Sequence, residues 1–368
     1  MAIKYIHELK KWPNFTWDQD TLNSKIEHVR LKQGQLVGKM ESLGFVLKTE
    51  ASLQTMTEDV LKTSEIEGEK LDRSQVRSSI ARRLGIDAKG LVRSPRDVDG
   101  IVEVLVDATQ KYNLDITSKR LFEWHAALFP LGQNTADQIS VGKWRNDSDG
   151  PMRVISGPIG KAKIHFEAPA AKDLKSEMNH FLKWFNSQKS QDSILRAAIA
   201  HLWFVTIHPF DDGNGRIARA LTDLLLARSE KSPRRFYSMS SQICMDRKNY
   251  YKILETTQKG NLDITEWLDW FISCMGRAIK NSEIILSSVL NKENFWQRHA
   301  TLQLNERQIK IINRLLDGFD GKLTSTKWAL MAKCSQDTAS RDIANLIESK
   351  ILKKDTAGGR STSYLFAV

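Results

Sequence analysis

The sequence predicts a mainly helical protein with one β-hairpin in its interior and a C-terminal run of helices that ends in a second hairpin. Three observations carry that expectation. Apolar residues recur at helical spacing through most of the chain. Residues 150–169, GPMRVISGPIGKAKIHFEAP, instead alternate β-branched residues around Gly and Pro. Residues 301–368 read helix, helix, helix, strand, turn, strand. With 368 residues the chain exceeds what one core accommodates, so two or three domains are expected.

The elements follow in order. SLQTMTEDVLKTSEIEG sets Leu53, Met56, Val60 and Leu61 at helical spacing and stops at Gly68, a natural C′ residue, giving a helix over 52–68. DVDGIVEVLVDATQKY offers Val102, Leu105, Val106 and Tyr112 to a core, and SKRLFEWHAALFP is a helix ended by Pro130. Met152–Ser156 and Lys163–Glu167 form the two strands of the hairpin. Helices resume over 171–186, SILRAAIAHLWFVTI and GNGRIARALTDLLLARS, the last with Ile217, Leu221, Leu224 and Leu225 on one face. RKNYYKILETTQ follows, then a long helix, ITEWLDWFISCMGRAIKNSEIILSSVLNK, that bridges to the C-terminal part. There, NERQIKIINRLLDG, TSTKWALMAKC and SQDTASRDIANLIESK are helices, and a strand, a Gly358-Gly359 turn and a second strand complete the order of a winged helix.

Composition sets limits on function. The net charge of +11 and a pI near 9.4 suit polyanionic partners, nucleotides or nucleic acid. Cys244, Cys274 and Cys334 are few, odd in number and without metal-type spacing, which argues for a reducing cytoplasm. MAIKYIHELKKW lacks the apolar core of a secretory signal, and AAIAHLWFVTI is too short to span a bilayer. A soluble, cytoplasmic protein without a membrane role is expected.

Chemistry concentrates in HPFDDGNGRIAR, residues 208–219. GNGRIA also fits a dinucleotide fingerprint, but His-Pro-Phe-Asp-Asp separates its glycines from the preceding apolar run, and no βαβ alternation surrounds it. GQLVGKM at 34–40 lacks the spacing and hydroxyl of a phosphate loop. The roles fit better as an anion cradle. Gly213, Asn214 and Gly215 open a helix whose first amides have no intrahelical partner, at the positive end of its dipole. The glycines let backbone approach phosphate oxygens, and the Asn214 side chain adds an amide. Arg216 and Arg219 project from the first turn as phosphate forks. Asp212 is a hard-oxygen candidate for Mg²⁺ beside substrate phosphates. His208 is a candidate proton acceptor. Alone, His208 reads as an ordinary loop histidine and Asp211 as a turn residue; together the parts suit a nucleoside triphosphate and a hydroxyl activated beside it.

The stretch matches H-x-F-x-[DE]-G-N-G-R-x-x-R throughout and so resembles the Fic family of protein adenylyltransferases, with GKWR at 142–145, IHFEAP and NYYKIL extending the likeness over roughly 45–275. The resemblance implies transfer of AMP from ATP, with Mg²⁺, to a Tyr, Thr or Ser hydroxyl of a target protein, releasing pyrophosphate. His208 is then the base and Asp212 the metal ligand. Gly213, Asn214 and Gly215 form the anion hole, Arg216 meets the β-phosphate and Arg219 the γ-phosphate. The hairpin becomes a flap that docks the target through Ile155 and Ile164, and Tyr251 an aromatic wall for adenine, with a core role equally open for Tyr250 or Tyr251. Thr63 and Glu67, four apart before Gly68, resemble an inhibitory motif in which Glu67 occupies Arg219. A solvated acidic helix end is the plainer reading of the same residues.

The implied organisation is a small helical domain at 1–45, a Fic-type helical core at 46–280 with its inhibitory helix 52–68 and flap 150–169, and a linker helix with winged helix at 281–368. In the N-terminal part Tyr5, Trp12, Phe15 and Trp17 read as packing residues. In the winged helix, Ser335 caps a recognition helix with Ala339, Ile343, Leu346 and Ile347 inward. Gln336, Thr338 and Arg341 would reach a DNA groove and Arg360 a phosphate. Residues 301–368 hold eleven Lys or Arg against seven Asp or Glu, a permissive balance. Three alternatives stay open: a de-AMPylating enzyme, another nucleotidyl-transferring Fic enzyme, and a DNA-binding regulator. A homodimer is a further expected partnership.

Overall fold

The computed structural model describes residues 5–86, 90–130, 139–148, 150–157, 163–187, 192–319, 321–355 and 362–367. It divides into two compact units, Met1–Gly85 with Arg93–Glu283, and Ile86–Val92 with Ile284–Val368. The Gly358-Gly359 turn and Arg360 lie outside the described residues.

The first unit is helical. Helices α1 (Gln19–Glu41), α2 (Phe45–Ile66), α3 (Arg73–Arg83), α4 (Arg96–Gln110) and α5 (Ser118–Leu128) precede strands β1 (Arg153–Ser156) and β2 (Lys163–Glu167). Then come α6 (Leu174–Asn186), α7 (Ser193–Ile207), α8 (Asn214–Glu230), α9 (Met239–Met245), α10 (Arg247–Gln258) and the long α11 (Thr265–Arg298), within which the division of units falls. Side chains close the helix starts: Asp18, Asp72, Thr117, Asp192 and Ser238 each accept first-turn amides of the helix they precede.

Helix α7 is apolar on nearly every side and is buried from Ile194 to Ile207, the mark of a central helix. Its partner α8 buries Ile217, Ala218, Leu221, Leu224 and Leu225 against it. Around this pair α2 packs on α3, α4, α8 and α9. Gly100 lets α4 approach α5 closely, since a β-carbon there would collide with the Ala127 carbonyl. His201 sits fully buried in α7, bonded to Thr222 Oγ1 at 3.0 Å and Tyr250 OH at 2.9 Å.

One helix boundary differs from expectation. Helix α2 begins at Phe45 rather than 52, because its first turn exposes Phe45 and Val46 and lies outside the buried stripe that marks the rest. The described residues before α2 pack within the first compact unit. Tyr5 packs edge-on to Phe166, Trp12 stands against Trp203 and bonds Glu177 at 3.0 Å, and Arg30 pairs with Asp192.

In the second unit, α12 (Glu306–Leu316), β3 (Leu323–Thr324), α13 (Ser325–Ala332), α14 (Gln336–Glu348), β4 (Leu352–Lys354) and β5 (Ser363–Phe366) surround a core of Phe295, Ile311, Ile312, Trp328, Ile343 and Leu346. The antiparallel sheet has order β3-β5-β4, so the two expected strands gain a third, short one. Ser335 caps α14 through the Thr338 amide at 3.2 Å. Among the described residues no helix is long and apolar enough to cross a membrane.

Candidate active site

The site is built where α7 ends and α8 begins. His208 closes α7 in the left-handed region, φ 51°, with its amide on the Phe204 carbonyl at 3.0 Å. Such a backbone costs a non-glycine residue about 1 kcal/mol or more, so the surroundings must impose it. Arg145 does much of this. Its Nε donates to the His208 carbonyl at 2.8 Å, its own amide to the Pro209 carbonyl at 3.0 Å, and Nη2 to the Pro169 carbonyl at the foot of the hairpin.

The His208 ring directs its protons. Nδ1 lies 3.2 Å from the Val205 carbonyl, which can only accept, so Nδ1 carries the proton and Nε2 is left as an acceptor. Burial, aided by the Arg145 charge and opposed by the Val205 carbonyl, lowers the imidazole to about 4. It is therefore neutral at physiological pH.

The turn between the helices is shaped from inside. Both ends of the Asn214 amide bond the Phe210 backbone, Oδ1 accepting at 3.0 Å and Nδ2 donating at 2.8 Å. The side chain expected to meet phosphate thus shapes the loop, and what Asn214 offers an anion is its backbone amide. His125 stacks on Phe210 at 4.2 Å, accepts the Gly142 amide on Nδ1 at 3.0 Å, and reaches the Asp212 carbonyl from Nε2 at 3.2 Å. Burial lowers His125 to about 4 as well. Ser140 donates its amide to Asp211 at 2.8 Å.

Gly213 begins α8 with φ 80° and no side-chain cap, leaving the helix tip open to an acceptor from elsewhere. The Glu67 carboxylate stands close to that tip. A β-carbon on Gly215 would collide with Glu67 Oε1, so the carboxylate rests directly on the glycine of the first turn. Arg219 completes the seat. Its Nη2 donates to Glu67 at 2.5 Å and to the Thr63 carbonyl at 3.1 Å, and its Nε donates to Thr63 Oγ1 at 2.6 Å. Burial works against the charge on both groups, yet Arg219 holds Glu67 below the usual carboxylate range and Glu67 raises Arg219.

Arg216 lies over the Phe129 ring, 5.1 Å from its centre, with Nη1 at 3.2 Å from Glu69 and Nη2 at 3.6 Å from Asp212. Asp212 Oδ1 accepts the Gly213 amide at 2.5 Å, and its side chain is otherwise largely exposed. Among the described residues no cluster of three or more His, Cys, Asp or Glu forms a metal site.

At the periphery, Tyr251 is 42% exposed with Arg247 over its ring, whereas Tyr250 is buried against His201. Burial raises both phenols. Ile155 and Ile164 are exposed, paired across the two-stranded hairpin.

The structure therefore groups His208, Asp212, Gly213, Gly215, Arg216, Arg219, Thr63 and Glu67 at one helix tip. Ile155, Ile164 and Tyr251 stand on the hairpin and on α10. Sequence reasoning gave no role to Glu69, His125 or Arg145. Their contacts with the site join positions tens of residues apart, and of the three only Arg145 stands in a noted local pattern, GKWR at 142–145.

The chain resembles known proteins in two segments. A model described as "Fic/DOC family" matches residues 115–226, and one described as "Domain of unknown function (DUF4172)" matches residues 5–86. The protein adenylyltransferase Fic of Aedes aegypti is 29% identical over 271 residues, 69% of this chain and 48% of that protein. That of Drosophila melanogaster is 28% identical over 265 residues, 69% and 47%. The chain spans about half the length of these curated relatives. Among solved structures, a Fic family protein from Desulfovibrio desulfuricans G20 superposes with TM-score 0.50 at 19% identity, covering 93% of this chain and 95% of that one. A Fic domain containing signaling protein from Bacteroides thetaiotaomicron VPI-5482 gives 0.52 at 19%, covering 72% and 97%. These two share its helical fold.

Proposed function

Since this chain carries a Fic domain, we propose that it is a protein adenylyltransferase restrained by Glu67, moving AMP from ATP to a hydroxyl of a target protein and releasing pyrophosphate. The observation that carries this reading is the Glu67 carboxylate seated on Gly215 and Arg219. A helix tip that lies against one anionic carboxylate suits anions, and a terminal phosphate would make the same demands.

In this reading the first-turn amides of α8 hold the phosphate chain, Arg216 meets its middle and Arg219 its end. His208 Nε2, unprotonated, takes the proton of the incoming hydroxyl as its oxygen attacks the α-phosphorus and pyrophosphate departs. A base this weak is adequate because phosphoryl-type transfer depends mainly on positioning and charge stabilisation. Asp212, with an exposed carboxylate beside the cradle, would hold Mg²⁺, which neutralises charge on the leaving pyrophosphate. The exposed edge of the hairpin, with Ile155 and Ile164, would dock an extended target segment. Tyr251 would face adenine.

Glu67 takes Arg219 from ATP, so Glu67→Gly should raise incorporation of labelled AMP. The carboxylate is about one-third exposed (31%), which places a charge-assisted bond at the lower end of its range and the gain at about tenfold. His208→Ala in the same background should reduce transfer at least about a hundredfold. Equal incorporation by the parent protein and Glu67→Gly would remove the restraint from the account. Retained transfer in His208→Ala would remove the base.

A second reading concerns the unit formed by 284–368. Helix α14 exposes Gln336 and Arg341 while burying Ala339, Ile343 and Leu346, and it precedes strands β4 and β5 of the antiparallel sheet. This order of elements suits a winged helix with α14 in a DNA groove.

A further inference from the structure

Helices α2 and α8 meet through two rows of residues, each spaced by four and so aligned on one helical face. Asp59, Thr63 and Glu67 form the row on α2 and its C-cap; Asp223, Arg219 and Gly215 form the row on α8, running the opposite way. At one end Glu67 rests on Gly215 and Arg219, and in the middle Thr63 accepts from Arg219. At the other end stand two acids. Asp59 and Asp223, each 2% exposed, line one cavity between the helices.

The charges around this end do not balance without a proton. Arg235, fully buried, is committed to Asp223, with Nη1 3.1 Å from its carboxylate and donating to its carbonyl at 3.0 Å. Asp59 Oδ1 accepts from the Ser238 hydroxyl at 2.5 Å, while Oδ2 has no hydrogen-bond partner among the described residues. The neighbouring elements supply Asp59 with no cation of its own. Helix α4 lends the cavity only Ile101, Val104 and Leu105, and α9 lends Ser240. Arg216 and Arg219 border it but are engaged by Glu69 and Glu67. Helix α3 spends Arg73 on Glu58 and Arg77 on Glu50, and Gln33 of α1 donates to Glu230, a further negative charge on Asp223. Burial first, then the Asp223 charge, hold Asp59 up at about 8 against the pull of Arg235.

We propose that α2 is seated by a proton as well as by an ion pair: Asp59 keeps the proton in the seated helix and gives it to solvent when α2 lifts and Glu67 leaves Arg219. The effect on transfer rests on the restrained-transferase reading above; the linkage of proton to helix does not. Once lifted, Asp59 is hydrated and returns to the ordinary aspartate value near about 4. Seating is therefore favoured in full below about 4. As pH rises from there to about 8, the lifted-to-seated ratio grows by up to about tenfold per unit, and it levels above, where both forms are ionised.

The test uses the full chain at a series of pH values, with two readouts. Hydrogen exchange of α2 amides, corrected for the intrinsic effect of pH and referred to α7, should lose about tenfold or more of its protection from about pH 6 to 8. AMP incorporation by the parent protein, divided by that of Glu67→Gly at each pH, should rise over the same range and then level. Asp59→Asn, which keeps the shape of the neutral acid, should abolish both trends. Asp223→Asn, which frees Arg235 for Asp59, should move them to lower pH. Protection of α2 that does not change with pH overturns the proposal, whatever the activity does. The same trends in Asp59→Asn overturn the assignment of the proton to that residue. Protection that falls as expected, with no AMP incorporated by the parent or by Glu67→Gly, upholds the linkage and overturns the transferase reading.

Discussion

His208 shows how a single residue is prepared for its proposed task. Its left-handed backbone, the carbonyl contacts from Arg145 and the Nδ1 bond to Val205 fix both direction and tautomer. Its low proton affinity has a kinetic signature. A base lowered to about 4 stays unprotonated from pH 8 to 5, so kcat/KM of Glu67→Gly should be flat across that range. An unperturbed histidine would instead lose about tenfold by pH 5.5, and such a fall would refute the assignment. The sequence made this region legible because a helix start, glycines, arginines and a histidine fall within twelve consecutive positions. It did not disclose that the Asn214 side chain turns back to Phe210, because a side-chain amide serves a phosphate or a loop equally well. Nor did it disclose Glu69 on Arg216, a pairing across 147 positions.

At the level of elements, periodicity located the helices where they bury a stripe and failed where they do not. Helix α7, buried all round, and α8, with its inward face, were plain; the exposed first turn of α2 was not. The bulge in the hairpin was invisible too, because alternation alone does not record an extra residue. Close approach of α4 and α5 depends on Gly100, and no side chain fits between it and the Ala127 carbonyl without moving a helix. Gly100→Ala should destabilise the first unit by about 1–3 kcal/mol, the range for overpacking, measured by urea unfolding. A neutral or stabilised variant would show that α4 and α5 tolerate separation.

For the whole molecule, two observables follow from charge. Asp59 of α2 is buried near Asp223, and burial first, then that neighbour, raise it to about 8 against the pull of Arg235. A carboxyl protonated in the fold but ionised when unfolded makes stability fall as pH rises from about 4 to 8. Asp59→Asn should flatten that slope and raise the melting temperature at pH 8, checked by thermal unfolding at several pH values. An unchanged slope would mean that Asp59 is already ionised in the fold. The net charge of +11 and the exposed face of α14 lead to the second expectation. The full chain should shift a duplex DNA probe, more weakly as salt rises, and Arg341→Ala should cost about 1 kcal/mol or more of that affinity. A probe left unshifted at low salt would leave α14 a packing element. The order of elements behind this expectation was readable from the sequence, whereas Arg360 lies outside the described residues.

Arg219 anchors α2 through Thr63 and Glu67, and in the proposed function it also meets the end of a triphosphate. One guanidinium with two claimants imposes reciprocity. By whatever factor a seated α2 weakens the nucleotide, bound nucleotide weakens the seating of α2 by the same factor. Anything that grips α2 in its lifted position would therefore tighten nucleotide binding without touching it, and the cell's nucleotide level would itself bias how often that helix lets go.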